Sequence, residues 1–430
     1  MIDQKQLDQA LHALSSPNKR NYQQIKLSCS IVDELAWLAS QSHPIQGFWK
    51  NRAGVRHCYI GIFRQAGTLE QLEQLKQQFP QSRFYGGLSF DPQTSQWPGF
   101  GPLRFILPRI ELICHHDTPQ LIIHCWLSDE NREAEIRSIR QEIAQLSEEK
   151  PLHWQPVHAT FVGHLPTIER WRKNVSQICQ ETFSQHTHKV VLARASTWQL
   201  AHPLNTLALM QKWQQTEPDN YAFWLRYDSH RSFFGVTPER LYLRQQQQFY
   251  SEALAGTCRI GTDEQHSLAL AQQLLNDAKN IHENQFVVDA IQQQLESFTA
   301  EVTIAPLTIR RQSQVQHLSR AIEAQLHSKV TDQMLISALH PTPAVCGHPR
   351  QNAYQFLRQN EPFERGWYAG VVGCISAETA ELAVAIRSAM QDGDELTTYA
   401  GAGIIKASQA ELEWHELNQK TAALQGILHG

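Results

Sequence analysis

The sequence has no long hydrophobic run. Its longest apolar stretches, such as residues 367–375, are much shorter than the roughly 20 residues that a membrane-spanning helix needs. The first residues are polar, with an acid at Asp3, and no apolar segment typical of a secretory signal follows them. We therefore expect a soluble cytoplasmic protein that has no membrane partner.

An excess of charge of one sign is also absent. The chain has 38 Lys and Arg residues against 42 Asp and Glu residues, which gives a formal net charge of -4. Proteins that bind nucleic acid or anionic membrane surfaces usually carry a clustered basic excess. The charge balance therefore argues against a nucleic-acid partner.

Cysteine and histidine spacings typical of metal and redox sites are missing. The eight cysteines are scattered, and the closest pair, Cys114 and Cys125, is eleven residues apart. This distance excludes the C-x-x-C spacing of zinc and redox motifs. No His-x-x-x-His spacing is present either. We therefore expect reduced and mostly buried thiols.

The chain lacks a Pro/Gly/Ser-rich linker and a solenoid-type repeat, although 430 residues would allow about three domains of ~150 residues. Segments rich in branched and aromatic residues alternate with helical patterns. The main strand candidates are residues 190–193, 222–227, 241–243 and 382–386. The short spacing of Phe223, Phe233 and Leu241 predicts an antiparallel meander. We therefore predict an α+β fold with large antiparallel sheets covered by helices.

Two predicted helices bear on function. Residues 268–298 keep apolar side chains mostly at steps of three and four, which predicts one amphipathic helix of many turns. Another helix is predicted to begin after Ser408, where a capping-box pattern stands, and to end before Gly426.

The last helix carries Glu413, Glu416 and Lys420 at i, i+3 and i+7, which places them on one face. Small residues around Gly401 precede this helix and allow a close approach to the backbone. Glu283 lies on the long helix. Carboxylates from two helices suit Mg2+, which needs only one or two protein carboxylates and an anionic substrate. The alternative for each helix is a solvated charged face.

Four further residues have local patterns typical of either structure or chemistry. Glu239 lies in a turn between two strands, and Lys189 opens an otherwise apolar strand. Their structural alternatives are a turn carboxylate and a lysine that blunts a strand edge. Arg387 follows an apolar strand, where a buried guanidinium needs an anion and suits bidentate recognition of a carboxylate. His282, beside Glu283, is a weaker alternative metal ligand.

Ordered motifs extend along most of the chain. They are residues 86–91, 107–111, 189–194, 237–240, 255–257, 340–347, 365–370, 385–387 and 401–420. In this order they resemble the chorismate-utilising enzymes, and within that family they are most similar to the isochorismate synthases of the menaquinone type. Anthranilate and salicylate synthases are related members. The resemblance runs from about residue 85 to the end of the chain.

The resemblance implies one large α+β domain over residues 1–430, in which antiparallel sheets stack beneath helices and the site lies between them. Residues 160–430 would form the catalytic core. The resemblance says least about residues 1–85.

The resemblance also implies the catalytic residues. By motif position, Lys189 would be the general base that activates water against C2 of chorismate, and Glu239 the general acid that protonates the departing C4 hydroxyl. A lysine acts as a base only when uncharged, which neighbouring cations favour, and a glutamate donates only when desolvation keeps it protonated. Aminating relatives typically carry Gln in place of this lysine, so Lys189 favours water addition.

Metal and substrate ligands follow from the same motifs. Glu283 and Glu416 match the family's direct Mg2+ ligands, and Glu413 matches a carboxylate that acts directly or through water. Asn280 stands where relatives often have a further acid, which leaves ligation at that position open. The positions that hold the substrate's carboxylates and hydroxyl are matched by Gly256, Thr257, His340, Tyr368, Arg387, Gly401 and Lys420.

We therefore expect a Mg2+-dependent isomerase that converts chorismate to isochorismate for menaquinone biosynthesis, without an obligatory protein partner. Salicylate synthase and a siderophore-pathway isochorismate synthase stay open, because the lysine is compatible with both. A two-carboxylate glycoside hydrolase is a further alternative, although it would leave the lysine and the metal-type carboxylates without a role. The last alternative is a non-catalytic relative that binds chorismate or a partner subunit.

Overall fold

Two large β-sheets form the framework of the molecule. The computed structural model describes residues 2–14, 21–95, 97–115, 118–312 and 315–429. Within these ranges every pair of neighbouring strands is antiparallel. Helices pack on the strands, as the helix Ala278–Leu295 does on the strand Gln248–Arg259. The predicted α+β fold with large antiparallel sheets is therefore confirmed.

Helices and strands are numbered here in chain order. The helices are α1 (Gln4–Leu14), α2 (Glu34–Ala39), α3 (Leu69–Gln78), α4 (Arg132–Ala144), α5 (Ile168–Ile178), α6 (Glu181–Ser184), α7 (Thr206–Thr216), α8 (Glu264–Asn276), α9 (Ala278–Leu295), α10 (Asp332–Leu339), α11 (Arg350–Asn360) and α12 (Ala410–His429). No helix in the described ranges is both long and apolar enough to cross a membrane.

The strands are β1 (Asn21–Ser28), β2 (Gln46–Lys50), β3 (Arg56–Ile60), β4 (Arg64–Ala66), β5 (Phe84–Leu88), β6 (Leu103–Leu107), β7 (Ile110–His115), β8 (Thr118–Leu127), β9 (Ala159–Leu165), β10 (Lys189–Leu200), β11 (Tyr221–Arg226), β12 (Arg231–Thr237), β13 (Arg240–Gln245), β14 (Gln248–Arg259), β15 (Thr299–Ile304), β16 (Thr308–Arg311), β17 (Val315–Leu326), β18 (Gly347–His348), β19 (Val371–Ile375), β20 (Thr379–Val384), β21 (Ser388–Asp392) and β22 (Glu395–Ile404).

Both sheets combine strands from the two halves of the chain. The larger sheet has 12 strands in the order β1-β8-β7-β3-β2-β11-β12-β21-β22-β10-β18, with β9 paired to β10. The smaller sheet has 10 strands in the order β15-β17-β14-β13-β20-β19-β5-β6-β4, with β16 paired to β17. Because β2 pairs with β11 and β5 pairs with β19, the first part of the chain contributes strands to both sheets.

An aromatic layer connects the two sheets. Tyr59, Phe223 and Phe233 come from the larger sheet, Tyr85 comes from the smaller sheet, and Trp367 precedes β19; all five belong to one buried cluster. The rings of Tyr59 and Tyr85 stack with their centroids 4.9 Å apart. Large aromatic side chains bury roughly 150–250 Å² each, so this layer is a major source of contact between the sheets.

The predicted meander is correct for its first hairpin and wrong for its third strand. Phe223 on β11 and Phe233 on β12 lie in the larger sheet, but β13, which carries Leu241, pairs with β14 and β20 in the smaller sheet. The local pattern identifies a strand without identifying its distant neighbour. The chain therefore crosses from one sheet to the other between β12 and β13.

The chain also crosses between the sheets after β20. Backbone hydrogen bonds connect each of these two crossings to a strand that flanks the other crossing. Glu239 lies in the crossing between β12 and β13, and Arg387 lies in the return crossing between β20 and β21. The Val384 amide donates to the Glu239 carbonyl (3.0 Å), and the Val236 amide donates to the Arg387 carbonyl (3.1 Å). Arg387 has a φ of 50°, a conformation that is uncommon outside glycine and that concentrates at functional sites.

The prediction of a single helix over residues 268–298 is wrong. α8 ends at Asn276, and α9 begins at Ala278 after an N-cap at Asp277, whose side chain accepts from the Asn280 amide at 2.7 Å. An aspartate cap satisfies one of the free amides of the new helix start. Both helices pack on β14, so the apolar period continues across the break and does not reveal it.

The last helix begins close to its predicted start and ends later than predicted. α12 begins at Ala410 but continues through Gly426 to His429. A glycine inside a helix costs only about 1 kcal/mol relative to alanine. The buried side chains of Leu424 and Leu428 lie on either side of Gly426, so packing of this last turn offsets that cost.

Candidate active site

A cavity of about 410 Å³ is lined by residues from both sheet crossings, from β10 and β22, and from α9 and α12. It brings together eleven of the twelve residues that the sequence proposes for the site: Lys189, Glu239, Gly256, Thr257, Glu283, Tyr368, Arg387, Gly401, Glu413, Glu416 and Lys420. The twelfth, His340, lies outside this lining.

Lys189 is the first residue of β10, and its side chain extends over the neighbouring strand β22. A Cβ atom on Gly403 would lie 2.6 Å from Cε and 3.3 Å from Nζ of Lys189, so glycine provides the space for this side chain. The Lys189 Nζ donates to Glu283 Oε1 at 3.0 Å. The glycine-rich segment was predicted to allow a close approach to its backbone, and here it admits the candidate base.

Glu239 has the protonation behaviour that a general acid requires. Burial raises the pKa of Glu239 to about 7, and the negative charge of Glu252 acts in the same direction. Lys189, Lys420 and a hydrogen bond from the Thr342 hydroxyl (3.5 Å) act in the opposite direction. A carboxylic acid with this pKa retains its proton in a large fraction of molecules near neutrality.

Three carboxylates from two helices face the cavity. They are Glu283 on α9 and Glu413 and Glu416 on α12. Glu283 accepts a hydrogen bond from Lys189 and Glu413 accepts one from the Ser408 hydroxyl (2.7 Å), whereas Glu416 forms an ion pair with Lys420 (2.5 Å). Among the residues that the structure describes, no group of three or more His, Cys, Asp or Glu side chains is close enough together to hold a metal ion.

The chemistry of these donors nevertheless fits Mg2+. Carboxylate oxygens are hard ligands, and Mg2+ usually needs only one or two of them beside water and an anionic substrate. The charge of Lys189 lowers the pKa of Glu283, so this carboxylate is ionised at neutral pH. Burial raises the pKa of Glu413, a cost that a cation would offset. The neighbouring Asn280 also lines the cavity, and its amide donates to Asp277 at 2.9 Å.

Cationic groups from Arg387 and Lys420 face the same cavity. Arg387 Nη1 donates to the Lys420 carbonyl (2.7 Å), and Lys420 Nζ donates to the Gly401 carbonyl (2.9 Å). A Cβ atom on Gly401 would lie 2.9 Å from the Tyr368 hydroxyl oxygen, so this glycine gives the tyrosine access to the cavity. Within the described part of the chain no carboxylate forms an ion pair with Arg387. Burial disfavours the charged form of this guanidinium and so lowers its pKa. A ligand carboxylate can satisfy it.

His317 lines the cavity, but no sequence pattern identifies it as a site residue. The Thr257 hydroxyl lies 2.8 Å from His317 Nδ1, and among the described residues the buried Nε2 has no hydrogen-bond partner. Burial lowers the pKa of His317 to about 3, and the charges of Arg387 and Lys420 act in the same direction. The ring is therefore neutral near pH 7. A single histidine on a strand has no spacing signal that would have identified it.

His340 lies behind the cavity wall. Its Nε2 contacts the carbonyl oxygens of Ser89 (3.1 Å) and Phe90 (3.2 Å), and burial lowers its pKa to about 4. The loop that follows His340 supplies Pro343, Ala344 and Val345 to the lining. The histidine thus lies next to a loop that lines the cavity, and its role in substrate binding stays a prediction.

The alternative metal ligand His282 packs on an aromatic ring. The imidazole of His282 lies with its centroid 4.5 Å from that of Phe286, one turn further along α9. Both side chains line the cavity, together with His188 and His348.

Comparison with known proteins identifies relatives over nearly the whole chain. Residues 62–429 match the family described as "Chorismate binding enzyme". Isochorismate synthase MenF of Escherichia coli (strain K12) is 33% identical over 400 residues, which cover 92% of this chain and 90% of that protein. The salicylate biosynthesis isochorismate synthase of Pseudomonas aeruginosa is 32% identical over 362 residues, which cover 80% of this chain and 74% of that protein.

Solved structures have the same architecture. The structure of MenF, the menaquinone-specific isochorismate synthase from Escherichia coli, matches with a TM-score of 0.91 and 32% sequence identity, covering 99% of both chains. Anthranilate synthase component I from Streptococcus pneumoniae matches with a TM-score of 0.69 and 19% identity, covering 94% of this chain and 92% of that chain. At that identity the second match establishes a common fold only.

Proposed function

Because the chain belongs to the family of chorismate-binding enzymes, we propose that it is a Mg2+-dependent isochorismate synthase. In this reaction water adds at C2 of chorismate, the ring double bond shifts, and the C4 hydroxyl leaves as water. The proposal covers residues 1–430 as one domain, because both sheets combine strands from the two halves of the chain. A cytoplasmic location is part of the same proposal.

The observation that carries the proposal is that Lys189 and Glu239, the candidate base and the candidate acid, line one cavity. Lys189, in its uncharged form, would take a proton from the attacking water as the oxygen–C2 bond forms. Glu239 would give its proton to the C4 oxygen as the C4–oxygen bond breaks. A pKa of about 7 keeps Glu239 available as a donor at neutral pH. The substrate gains and loses one water, so the reaction is an isomerisation.

Glu283 and Glu416, with Glu413 directly or through water, are the residues that would hold Mg2+. All three carboxylates face the cavity in which the acid and base lie. When bound, the cation supplies a template and a charge screen for a substrate carboxylate. Glu283 and Glu416 now contact Lys189 and Lys420, so cation binding and these ammonium groups compete for the same oxygens.

The remaining cations would orient the substrate. Arg387 and Lys420 would bind its carboxylates, since a guanidinium and a carboxylate form charge-assisted hydrogen bonds. Thr257 and Tyr368 would donate to its oxygens. The neutral His317 holds the Thr257 hydroxyl at 2.8 Å and so limits its orientation. Gly256 precedes this threonine with a φ of 86°, which glycine adopts without strain.

We assign the product to menaquinone biosynthesis. The support is the similarity over 99% of the chain to an enzyme described as menaquinone-specific. A siderophore pathway is the alternative, and the identity of neighbouring genes tests it. Salicylate synthase is the alternative reaction, because Lys189 suits that chemistry as well.

The product of chorismate tests the reaction directly. Purified protein with chorismate and Mg2+ is expected to yield isochorismate, identified by mass and NMR, without free pyruvate. Stoichiometric pyruvate would assign the protein as a salicylate synthase. Chorismate binding in a calorimeter without any turnover would indicate a non-catalytic relative, and hydrolysis of glycosides that survives EDTA would indicate a two-carboxylate hydrolase.

A further inference from the structure

A buried group of charges lies beside the candidate acid Glu239. Glu252 on β14 has a side chain that is only 10% exposed, and two arginines bind its carboxylate. Arg52 contacts both carboxylate oxygens, with Nη1 at 2.9 Å from Oε2. Arg310 Nη1 lies 3.1 Å from Oε1 and 2.9 Å from Oε2. We call Glu252, Arg52 and Arg310 the Glu252 cluster.

The Glu252 cluster holds the peptide groups on both sides of Glu239. Arg52 Nη2 donates to the carbonyl of Pro238, which precedes Glu239. The backbone amide of Arg240, which follows Glu239, lies 3.5 Å from Glu252 Oε1. The crossing between the two sheets is therefore anchored at the residue before the acid and at the residue after it.

Within the cluster, Glu252 presents a lasting negative charge to the acid. Burial opposes ionisation of Glu252, but the hydrogen bond and charge of Arg52 and the charges of Arg310 and Arg240 hold its pKa below the ordinary value. Glu252 therefore stays ionised at neutral pH. Like charges that share a low-dielectric site disfavour each other's ionised form.

Charged and titratable groups face Glu239 from several elements. Glu252 on β14 favours its protonated form, whereas Lys189 on β10 and Lys420 on α12 favour the carboxylate. The Tyr368 hydroxyl also interacts electrostatically with Glu239. Glu252 is the one group among these whose charge opposes ionisation of the acid at neutral pH.

The first part of the chain supplies a member of the cluster. Arg52 lies in the turn between β2 and β3, within residues 1–85, on which motif resemblance says least. Its guanidinium carbon lies 4.8 Å from the centroid of the Tyr221 ring, whose hydroxyl accepts from Arg240 Nε at 2.8 Å. Packing against this ring fixes the direction from which Arg52 reaches Pro238.

We propose that Glu252 is a positioning residue for Glu239: held by Arg52 and Arg310, it fixes the crossing that carries this acid and places a permanent negative charge beside it, which favours the protonated form. The proposal rests on the proposed function in assigning the role of acid to Glu239. Glu252 itself does not line the cavity.

The pH dependence of kcat/KM tests this role. Glu252→Gln removes the negative charge with little change in shape, so the midpoint that Glu239 contributes to the profile is expected to move to lower pH by roughly one unit. At pH values above the midpoints of both proteins, Glu252→Gln is then about tenfold less active than the wild type, and this difference in activity shrinks at lower pH. Glu252→Asp retains the charge and is expected to keep the wild-type midpoint. An unchanged midpoint in Glu252→Gln would overturn the proposal.

A matched control is available in the same part of the smaller sheet. Glu381 accepts from the Tyr221 hydroxyl (3.0 Å) and from the Asn51 amide (3.0 Å), but it is not among the groups with the largest effect on Glu239. Glu381→Gln is expected to leave the midpoint unchanged, and an equal shift in this variant would contradict a specific role for Glu252.

A second variant covers the case in which Glu252→Gln does not fold. Arg310→Gln removes a positive charge from a side chain that is 21% exposed and leaves Glu252 paired with Arg52. The midpoint is expected to move to higher pH, opposite to the effect of Glu252→Gln. A movement to lower pH would contradict the proposal.

A titration without substrate separates this proposal from the proposed function. Proteins labelled with 13C at glutamate carboxyls are titrated by NMR, and Glu239→Gln identifies the Glu239 signal. The Glu239 signal is expected to titrate at lower pH in Glu252→Gln than in the wild type, whether or not the protein acts on chorismate. Failure to convert chorismate would overturn the proposed function alone, and an unshifted titration would overturn the role of Glu252 alone.

Discussion

Lys189 Nζ lies 3.0 Å from Glu283 Oε1, so the candidate base and a candidate metal ligand form an ion pair. The two residues come from β10 and α9, which are distant in the chain. An ammonium group that donates to a carboxylate cannot accept a proton from water. The contact therefore couples the candidate metal ligand to the candidate base, since a cation bound by Glu283 would compete for the oxygen that Lys189 now contacts.

Replacing Lys189 should separate catalysis from metal binding. Lys189→Ala is expected to lower kcat by roughly 10²- to 10⁴-fold, because the attacking water loses its proton acceptor. Its affinity for Mg2+, measured by calorimetry, should equal or exceed that of the wild type, because a competing cation has been removed. Lys212→Ala, on the exposed face of α7, is the control and should be fully active. Near-normal turnover in Lys189→Ala would contradict the assignment of the base.

The cavity carboxylates should determine metal dependence. EDTA is expected to abolish turnover and added Mg2+ to restore it. Glu283→Gln and Glu416→Gln should each weaken Mg2+ binding by roughly tenfold or more, because each removes an anionic oxygen ligand. Glu411→Gln is the control, since Glu411 is exposed on α12, the helix that also carries Glu416, and pairs with Arg172 at 2.8 Å. An equal loss of Mg2+ affinity in the control would argue against a defined site.

The pH profile should change slope where Glu239 loses its proton. Its pKa of about 7 means that the proton-donating form declines above that pH, so the slope of log kcat/KM against pH should decrease by about one near pH 7. Glu239→Gln cannot donate a proton as an acid and should lose this change of slope together with most of its activity. A wild-type profile with no change of slope near pH 7 would exclude Glu239 as the acid.

The same carboxyl group should reduce stability as the pH rises. Because its folded pKa of about 7 exceeds the ordinary value, its contribution to stability is fully present below the unfolded pKa and is lost as pH rises through about 7. The loss amounts to about 3 kcal/mol at most. The free energy of unfolding, measured in urea, should therefore fall more in the wild type than in Glu239→Gln as the pH is raised from acidic to alkaline values. A constant difference would indicate that Glu239 ionises normally in the folded protein.

Gly403 should be required for the position of Lys189. An added Cβ would lie 2.6 Å from the lysine Cε, and the flexible lysine can move away, so Gly403→Ala should fold. We expect it to lose roughly tenfold or more in kcat because the amine is displaced. Gly426→Ala is the control, because its added Cβ meets nothing within 4 Å. Full activity of Gly403→Ala would show that the position of the amine tolerates this displacement.

Local sequence patterns predicted the individual elements well where a segment had a clear period. The candidate strand at residues 190–193 lies within β10, and the candidate at 222–227 overlaps β11. The break at Asp277 was not predicted, because α8 and α9 pack on the same strand and share one apolar period. The glycine pattern predicts a helix end before Gly426, but buried leucines on both sides extend α12 through it.

The candidate site was predicted where residues belong to ordered motifs and was missed where they do not. Lys189, Glu239 and Arg387 all line one cavity, as motif resemblance implied. His317 and Glu252 stand alone on strands, and their importance comes from contacts with residues distant in the chain. No local spacing encodes such contacts.

The sequence by itself determined the family, most of the strands and helices, and eleven of the residues that line the cavity, because these depend on motif order and on local periodicity. Only the tertiary structure decided that Glu239 and Arg387 lie at neighbouring crossings between the sheets, and that Arg52 reaches the peptide before the acid. The physical reason is that strand pairing and charge contacts join residues far apart in the chain, and their geometry exists only once the two sheets have formed.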